Sequence, residues 1–214
     1  MRNQLSALYI YPMSDALIIF VRNPELGKVK TRLAATLGQE KALEIYQQLL
    51  AHTLTVTKNI AVQKFVFYDG SILNQDLWRK NGYHQLLQKQ ADLGKKMHNA
   101  FETILEKGFN KVVIIGSDCI ELTQEIILKA FDLLKTNDVV IGPANDGGYY
   151  LLGIKKLYPQ LFINKQWSTE DVYETTIRDF KESELKYFEL PVLIDIDTEE
   201  DWEQVEQKKQ LNDR

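Results

Sequence analysis

Four consecutive β-branched residues, Val112-Val113-Ile114-Ile115, followed at once by Gly116-Ser117-Asp118, constrain this chain more than any other stretch. The run is too short for a helix and apolar at every position. It predicts a strand covered on both faces, of the kind found inside a parallel sheet. Gly116 and Ser117 end the run, and Asp118 falls where the strand's carboxyl end should lie. That is the edge at which open α/β sheets meet their ligands. Position alone leaves Asp118 balanced between a ligand-facing carboxylate and a residue that merely opens the turn into the next helix.

A second wholly apolar strand is predicted over 16–21, and it opens into RNPELGKVKTRL (22–33). Pro24 and Gly27 keep that segment irregular, while Lys28, Lys30, Thr31 and Arg32 supply donors at its far end. A strand running into a basic loop and then a helix is a phosphate-binding arrangement, because backbone amides and cations converge on the anion. It is not a Walker loop, since GxxxxGK[ST] is absent. The plainer alternative is an exposed loop of solvated charges.

Apolar residues at helical spacing predict an amphipathic helix over 39–57. A strand over 63–68 ends at the turn pair Asp69-Gly70, and a short helix over 72–80 and a strand over 84–88 follow. Asp92 is placed to cap a helix running to 107. After the central strand come a helix over 124–135, a strand over 138–141 and the loop GPANDGG (142–148), from which a strand over 149–154 resumes. Gly147 and Gly148 allow close backbone approach around Asp146, although a hairpin turn also accounts for Asp146-Gly147. Ser168-x-x-Asp171 resembles a capping box for a helix over 169–180, and Thr198-x-x-Asp201 one for a final helix. The last strand is predicted over 190–194 and runs into Asp195-Ile196-Asp197. Alternation puts the two aspartates on one side of an extended segment, where paired carboxylates repel unless a cation joins them. The other reading has Asp197 assisting the helix and Asp195 facing solvent.

Strand and helix alternate throughout, so the fold class is α/β: a three-layer α/β/α domain with a mixed, mainly parallel sheet. At 214 residues one domain, 16–214, follows an N-terminal extension over 1–15, within which Met13 offers an alternative start. A net charge of −4 argues against broad nucleic-acid binding, and no apolar run reaches the length of a membrane span. The single cysteine, Cys119, excludes an internal disulfide framework and fits a reducing cytoplasm.

Six segments, taken together and in order, resemble one family: FVRNPELGKVKTRL (20–33), ADLGKKMHNAF (91–101), IIGSDCIELT (114–123), GPANDGGYYLLG (142–153), WSTEDV (167–172) and DIDTEEDW (195–202). They look like a bacterial branch of the GT-A-fold nucleotide-diphospho-sugar transferase superfamily, labelled arsenosugar-biosynthesis-type glycosyltransferases. The loop with Gly27, Lys30 and Arg32 is similar to the triphosphate-gripping loop of guanylyltransferases such as 2-phospho-L-lactate guanylyltransferase. DIDTEED resembles the metal-binding end of CMP-sugar synthetases, and Asp118 falls at the superfamily's first metal-binding aspartate. Two departures stand out. The family's DCPDL is here Asp118-Cys119-Ile120-Glu121-Leu122, and glycines usual before Asp92 are missing.

The resemblance implies a divalent ion, Mg²⁺ or Mn²⁺, on Asp118, Asp195 and Asp197, with catalytic roles for Asp118, Lys30 and Arg32. It implies substrate contacts from Arg22, Gly27, Lys30, Arg32, Asp92, Asp146, Gly147 and Gly148. The partners would be a nucleotide or nucleotide-sugar and a small-molecule acceptor, and a homodimer is left open. Glycosyl transfer is the leading expectation. Nucleotidyl transfer from an NTP comes next, and a nucleotide-binding module without turnover last. Cys119 is expected to be buried and inert rather than nucleophilic.

Overall fold

The structure, a computed structural model, describes residues 15–89 and 91–212. The expected extension therefore lies outside the described residues, apart from Asp15. That residue already belongs to the first strand and pairs with Lys111 of its neighbour at 2.9 Å.

Seven strands form one sheet: β1 (Asp15–Arg22), β2 (Gln63–Asp69), β3 (His84–Leu87), β4 (Lys111–Ile115), β5 (Val139–Pro143), β6 (Tyr149–Ile154) and β7 (Tyr187–Glu189). Their order is β3-β2-β1-β4-β6-β5-β7. Only β6 runs antiparallel to its neighbours, so the sheet is mixed and mainly parallel. The chain lays β2 and β3 outward on one side of β1, then returns to place β4 on the other. This reversal splits the connections leaving β1 and β4 and opens a crevice beyond their carboxyl ends.

Period-2 alternation delivers the two faces. Leu17, Ile19, Val113 and Ile115 join one buried cluster with α1 (Thr31–Leu37), α2 (Gln39–Thr57), α5 (Gln124–Leu133) and Val205 of α7 (Glu199–Asn212). Ala16, Ile18, Val112 and Ile114 join the other, under α4 (Leu93–Leu105), the single turn Pro159–Phe162 and α6 (Val172–Glu182). Each face is covered, which is why the strands read as unbroken apolar runs. Among the described residues no helix is long and apolar enough to cross a membrane.

Three local expectations shift. The helix over 72–80 shrinks to α3 (Leu77–Lys80), because Asp76 caps it by accepting the amides of Trp78 and Arg79. The last strand is β7, ahead of 190–194. Pro191 has no amide for a ladder, and the segment follows β5 only through Leu190 N–H to Ile141 O and an isolated bridge from Leu193 to Ala144. The Ser168-Asp171 box does not form. Ser168 has φ +66°, and α6 starts at Val172 with no side-chain cap on Asp171. By contrast, Asp92 caps α4 through the Lys95 amide at 2.9 Å, and Thr198 and Asp201 cap α7 reciprocally.

Candidate active site

A cavity of about 1460 Å³ fills the crevice at the β1–β4 reversal. Its walls come from the loop after β1, the loop after β4, the β5–β6 loop, residues 167–172 and the 195–197 segment. Asp118, two residues beyond the first break in the apolar run, stands in a loop at the β4 end and not in a helix. Lys30 ends the basic loop in left-handed backbone, φ +48°, a conformation uncommon for a residue with a side chain.

That turn sends the Lys30 side chain inward, where it is only 7% exposed. Its ammonium stands 2.8 Å from Asp118 Oδ1 and 3.5 Å from Asp197 Oδ1. Arg32 Nη1 donates to Asp197 Oδ2 at 3.0 Å. Lys30 and Arg32, expected as substrate contacts, therefore stand paired with the carboxylates. The physical reason is charge: an acidic cluster draws in the nearest flexible cations.

Burial opposes the charge on Lys30, but Asp118, Asp195 and Asp197 outweigh it and its pKa is raised. Asp195 shows the opposite balance. Burial and the neighbouring Asp118 push its pKa up to about 8, against the pull of Lys30. The cluster thus holds more acidic groups than its one buried ammonium can neutralise.

The aspartates are held by the backbone. Ile196 N–H donates to Asp118 O at 3.0 Å, Ile194 N–H to Glu121 Oε2 at 2.9 Å and Asp195 N–H to Asn145 Oδ1 at 3.1 Å. Asp201 Oδ2 accepts from the amides of Asp197 and Thr198, at 3.1 and 2.9 Å. Five consecutive amides from Ile194 to Thr198 are satisfied, so the 195–197 turn is fixed against both the β4 and β5 loops. Glu121, the departure from the family's aspartate, is one of those anchors and also binds Lys208 at 2.7 Å.

The donors suit a hard divalent cation, being carboxylate oxygens only. Asp118 Oδ1 is sealed from solvent with no hydrogen-bond donor aligned on it, although the Lys30 ammonium is close. Among the described residues, however, no three His, Cys, Asp or Glu side chains converge as they would around an ion. The Lys30 ammonium is the cation that stands beside Asp118 and Asp197.

On the β2 side, Asp69 Oδ1 binds Lys96 of α4 at 2.9 Å, and its other oxygen lies 3.9 Å from Arg22 Nε. Tyr46 of α2 ties β1 down: its hydroxyl accepts Arg22 N–H at 2.8 Å and lies 3.4 Å from Ser117 Oγ. On the far wall Asp146 Oδ1 accepts Gly148 N–H at 2.9 Å. Gly147 has φ +82°, and a Cβ there would overlap the Glu170 carbonyl, so this glycine lets the 144–148 and 168–171 loops pack together.

Arg22, Lys30, Arg32, Asp118, Asp146, Gly147, Gly148, Asp195 and Asp197 all line the cavity. Gly27 and Asp92 are not among its lining residues. Gly27 makes a turn with φ +73° against Gln39, and Asp92 is engaged as the α4 cap. Tyr46, Asp69, Lys96, Asn145 and Trp167 line it without having been singled out. Asp69 was accessible to the strand-end argument that found Asp118; Tyr46 and Lys96 depend on helix placement, and Asn145 and Trp167 on how two loops pack. Cys119 is buried, and burial raises its thiol pKa, which disfavours the nucleophilic thiolate.

A mainly parallel sheet with a reversed strand beside β4, and an acid-rich crevice at the β1–β4 reversal, define a fold of the nucleotide-diphospho-sugar transferase kind. The chain belongs to the family described as "Uncharacterized protein conserved in bacteria (DUF2064)", whose pattern matches residues 52–169. A presumed nucleotide-diphospho-sugar transferase of Desulfovibrio desulfuricans G20 is 32% identical, with a TM-score of 0.79 over 86% of this chain and 83% of that one. Two others share the fold. A cytidylyltransferase from Leptospira borgpetersenii serovar Hardjo-bovis is 18% identical, TM-score 0.58, over 90% of this chain and 85% of its own. Rv0371c from Mycobacterium tuberculosis H37Rv, in complex with manganese, is 12% identical, TM-score 0.56, over 90% and 97%. No curated protein sequence matches the chain.

Proposed function

We propose that this protein is a metal-dependent transferase acting on a nucleotide-sugar, with glycosyl transfer ahead of nucleotidyl transfer. The observation that carries the reading is the Lys30 ammonium buried between Asp118 and Asp197 at the sheet's reversal point. A buried lysine in strained backbone, clamped by carboxylates in an open cavity of this size, is a preorganised anion-handling device rather than a packing feature. The relatives support it: one is a presumed nucleotide-diphospho-sugar transferase, and another was captured with manganese. Glycosyl transfer rests on the resemblance to the arsenosugar-type branch. The second reading is favoured by the GKVKTR loop and by a cytidylyltransferase among the fold relatives.

In this reading Asp118, Asp195 and Asp197 are the residues that would hold Mg²⁺ or Mn²⁺. The ion would supply charge neutralisation on the phosphate that leaves. Lys30 and Arg32 exchange their carboxylate partners for phosphate oxygens, a charge-assisted contact of the same geometry. The braced 194–198 backbone keeps the aspartates in place while those cations move. Arg22, Asp69 and Lys96 line the nucleoside side, and Asp146 with Gly147 and Gly148 faces the sugar or acceptor.

A thermal-shift panel of nucleoside diphosphates, triphosphates and nucleotide-sugars, with and without Mn²⁺, tests this. Binding at about 100 times Kd stabilises by about 2.7 kcal/mol, a shift of several degrees. Nucleotide and Mn²⁺ together should raise Tm by more than the sum of their separate effects. No shift with any nucleotide under either condition contradicts the reading.

A further inference from the structure

We infer that the sugar moiety handled in this cavity carries no anionic group: the β5–β6 and 167–171 wall selects a neutral or amine-bearing sugar over a phosphorylated or carboxylated one. The inference rests on the proposed nucleotide-sugar reading and concerns the sugar of a nucleotide-sugar, beyond the phosphates that join it to the nucleoside.

The argument is the segregation of charge across one cavity. Every cationic residue lining it, Arg22, Lys30, Arg32 and Lys96, comes from the β1 end, the loop after it, the first turn of α1 or α4. Each is already beside a carboxylate: Asp69 for Arg22 and Lys96, Asp118 and Asp197 for Lys30, Asp197 for Arg32. The wall formed by 145–149 and 167–171 contains Asp146, Glu170 and Asp171 and no lysine, arginine or histidine. A nucleotide's phosphates therefore have one side to lie on, and whatever is attached to them extends toward carboxylates.

The second observation is the surface between those carboxylates. Trp167 packs directly on the α4 backbone at Gly94, where any Cβ would overlap its indole. Tyr149 of β6, whose hydroxyl stands 3.7 Å from Met97 Sδ of α4, adds a second aromatic ring against the same helix. A flat aromatic flanked by carboxylates and an amide matches a pyranose, whose C–H face packs on the ring while its hydroxyls donate to the acids. A second anion on that sugar would meet a wall with three acidic residues and no basic one, and such like-charge juxtaposition discriminates by roughly 100-fold or more.

Calorimetry of matched ligands in the presence of Mn²⁺ tests this. UDP and GDP serve as references, against UDP-glucose, UDP-glucosamine and UDP-glucuronate, and against GDP-mannose and GDP-mannuronate. The hexose and hexosamine conjugates of whichever base binds should match or exceed the bare diphosphate, and the uronate should fall roughly 100-fold below the hexose. In Glu170→Gln/Asp171→Asn that penalty should shrink by about 10-fold or more, with affinity for the bare diphosphate as the check that the fold is intact. A bare diphosphate that binds while uronate and hexose bind equally overturns this inference alone. Failure of both bare diphosphates to bind overturns the nucleotide reading, and the sugar inference with it.

Discussion

Lys30 and Asp195 share one acidic cluster, and the pKa of each is raised there. Asp195, with its pKa raised to about 8 by burial and by Asp118, binds a proton in the folded state that it releases when unfolded. Such a group favours folding most fully below its unfolded value near 4, and that contribution is lost as pH rises toward 8. Asp195→Asn removes this ionisation. In EDTA its Tm advantage over the natural protein should be small at pH 5 and grow through pH 8 to 9; a gap that stays constant across that range contradicts the cluster's electrostatics. Asp118, Asp195 and Asp197 were legible in the sequence because strand ends and period-2 alternation are local signals. The inward turn of Lys30 was not. It depends on left-handed backbone at a lysine and on acids contributed by segments far along the chain.

At the scale of elements, the site depends on a short extended segment that belongs to no strand. Residues 190–194 look like a strand by composition, yet Pro191 and the end of β5 leave them as an irregular rail, anchored by Glu121 at Ile194 and, just beyond, by Asn145 at Asp195 and Asp201 at Asp197. Composition reports apolar character, and it cannot report where a partner strand stops. Glu121→Ala strips the Ile194 amide of its acceptor and frees Lys208. A lost buried hydrogen bond of this kind costs about 1–3 kcal/mol. The expected outcome is faster hydrogen exchange at the Ile194 amide and a roughly 10-fold loss of Mn²⁺ affinity, both largely restored in Glu121→Gln, which keeps an accepting oxygen. Unchanged exchange at Ile194 would show that the rail is held without it. The failed Ser168 capping box teaches the same lesson, since the 167–171 segment is shaped by packing on Gly147 and Gly94 rather than by its own helix signals.

At the scale of the whole molecule, the order β3-β2-β1-β4-β6-β5-β7 brings the ends of β1 and β4 together and leaves a cleft between them. The sheet class and the Asp118 edge followed from apolar runs and strand–helix alternation. The strand order did not, because nothing local reveals that β6 inserts between β4 and β5. The consequence of the topology is one crevice where an acid-rich end segment meets a basic loop more than 160 residues earlier, joined by Arg32 to Asp197. The central claim is that Lys30 holds the position a divalent ion takes when nucleotide phosphate draws the lysine away. Mn²⁺ titration followed by electron paramagnetic resonance, on the natural protein and on Lys30→Met, with and without a nucleoside diphosphate, tests it most directly. Without nucleotide, Lys30→Met should bind Mn²⁺ more tightly, by about 10-fold, because the competing ammonium is gone. With nucleotide, the natural protein should gain Mn²⁺ affinity and the variant should gain little. Lys30→Met binding Mn²⁺ no better than the natural protein, with the nucleotide-dependent gain intact in both, would contradict the account.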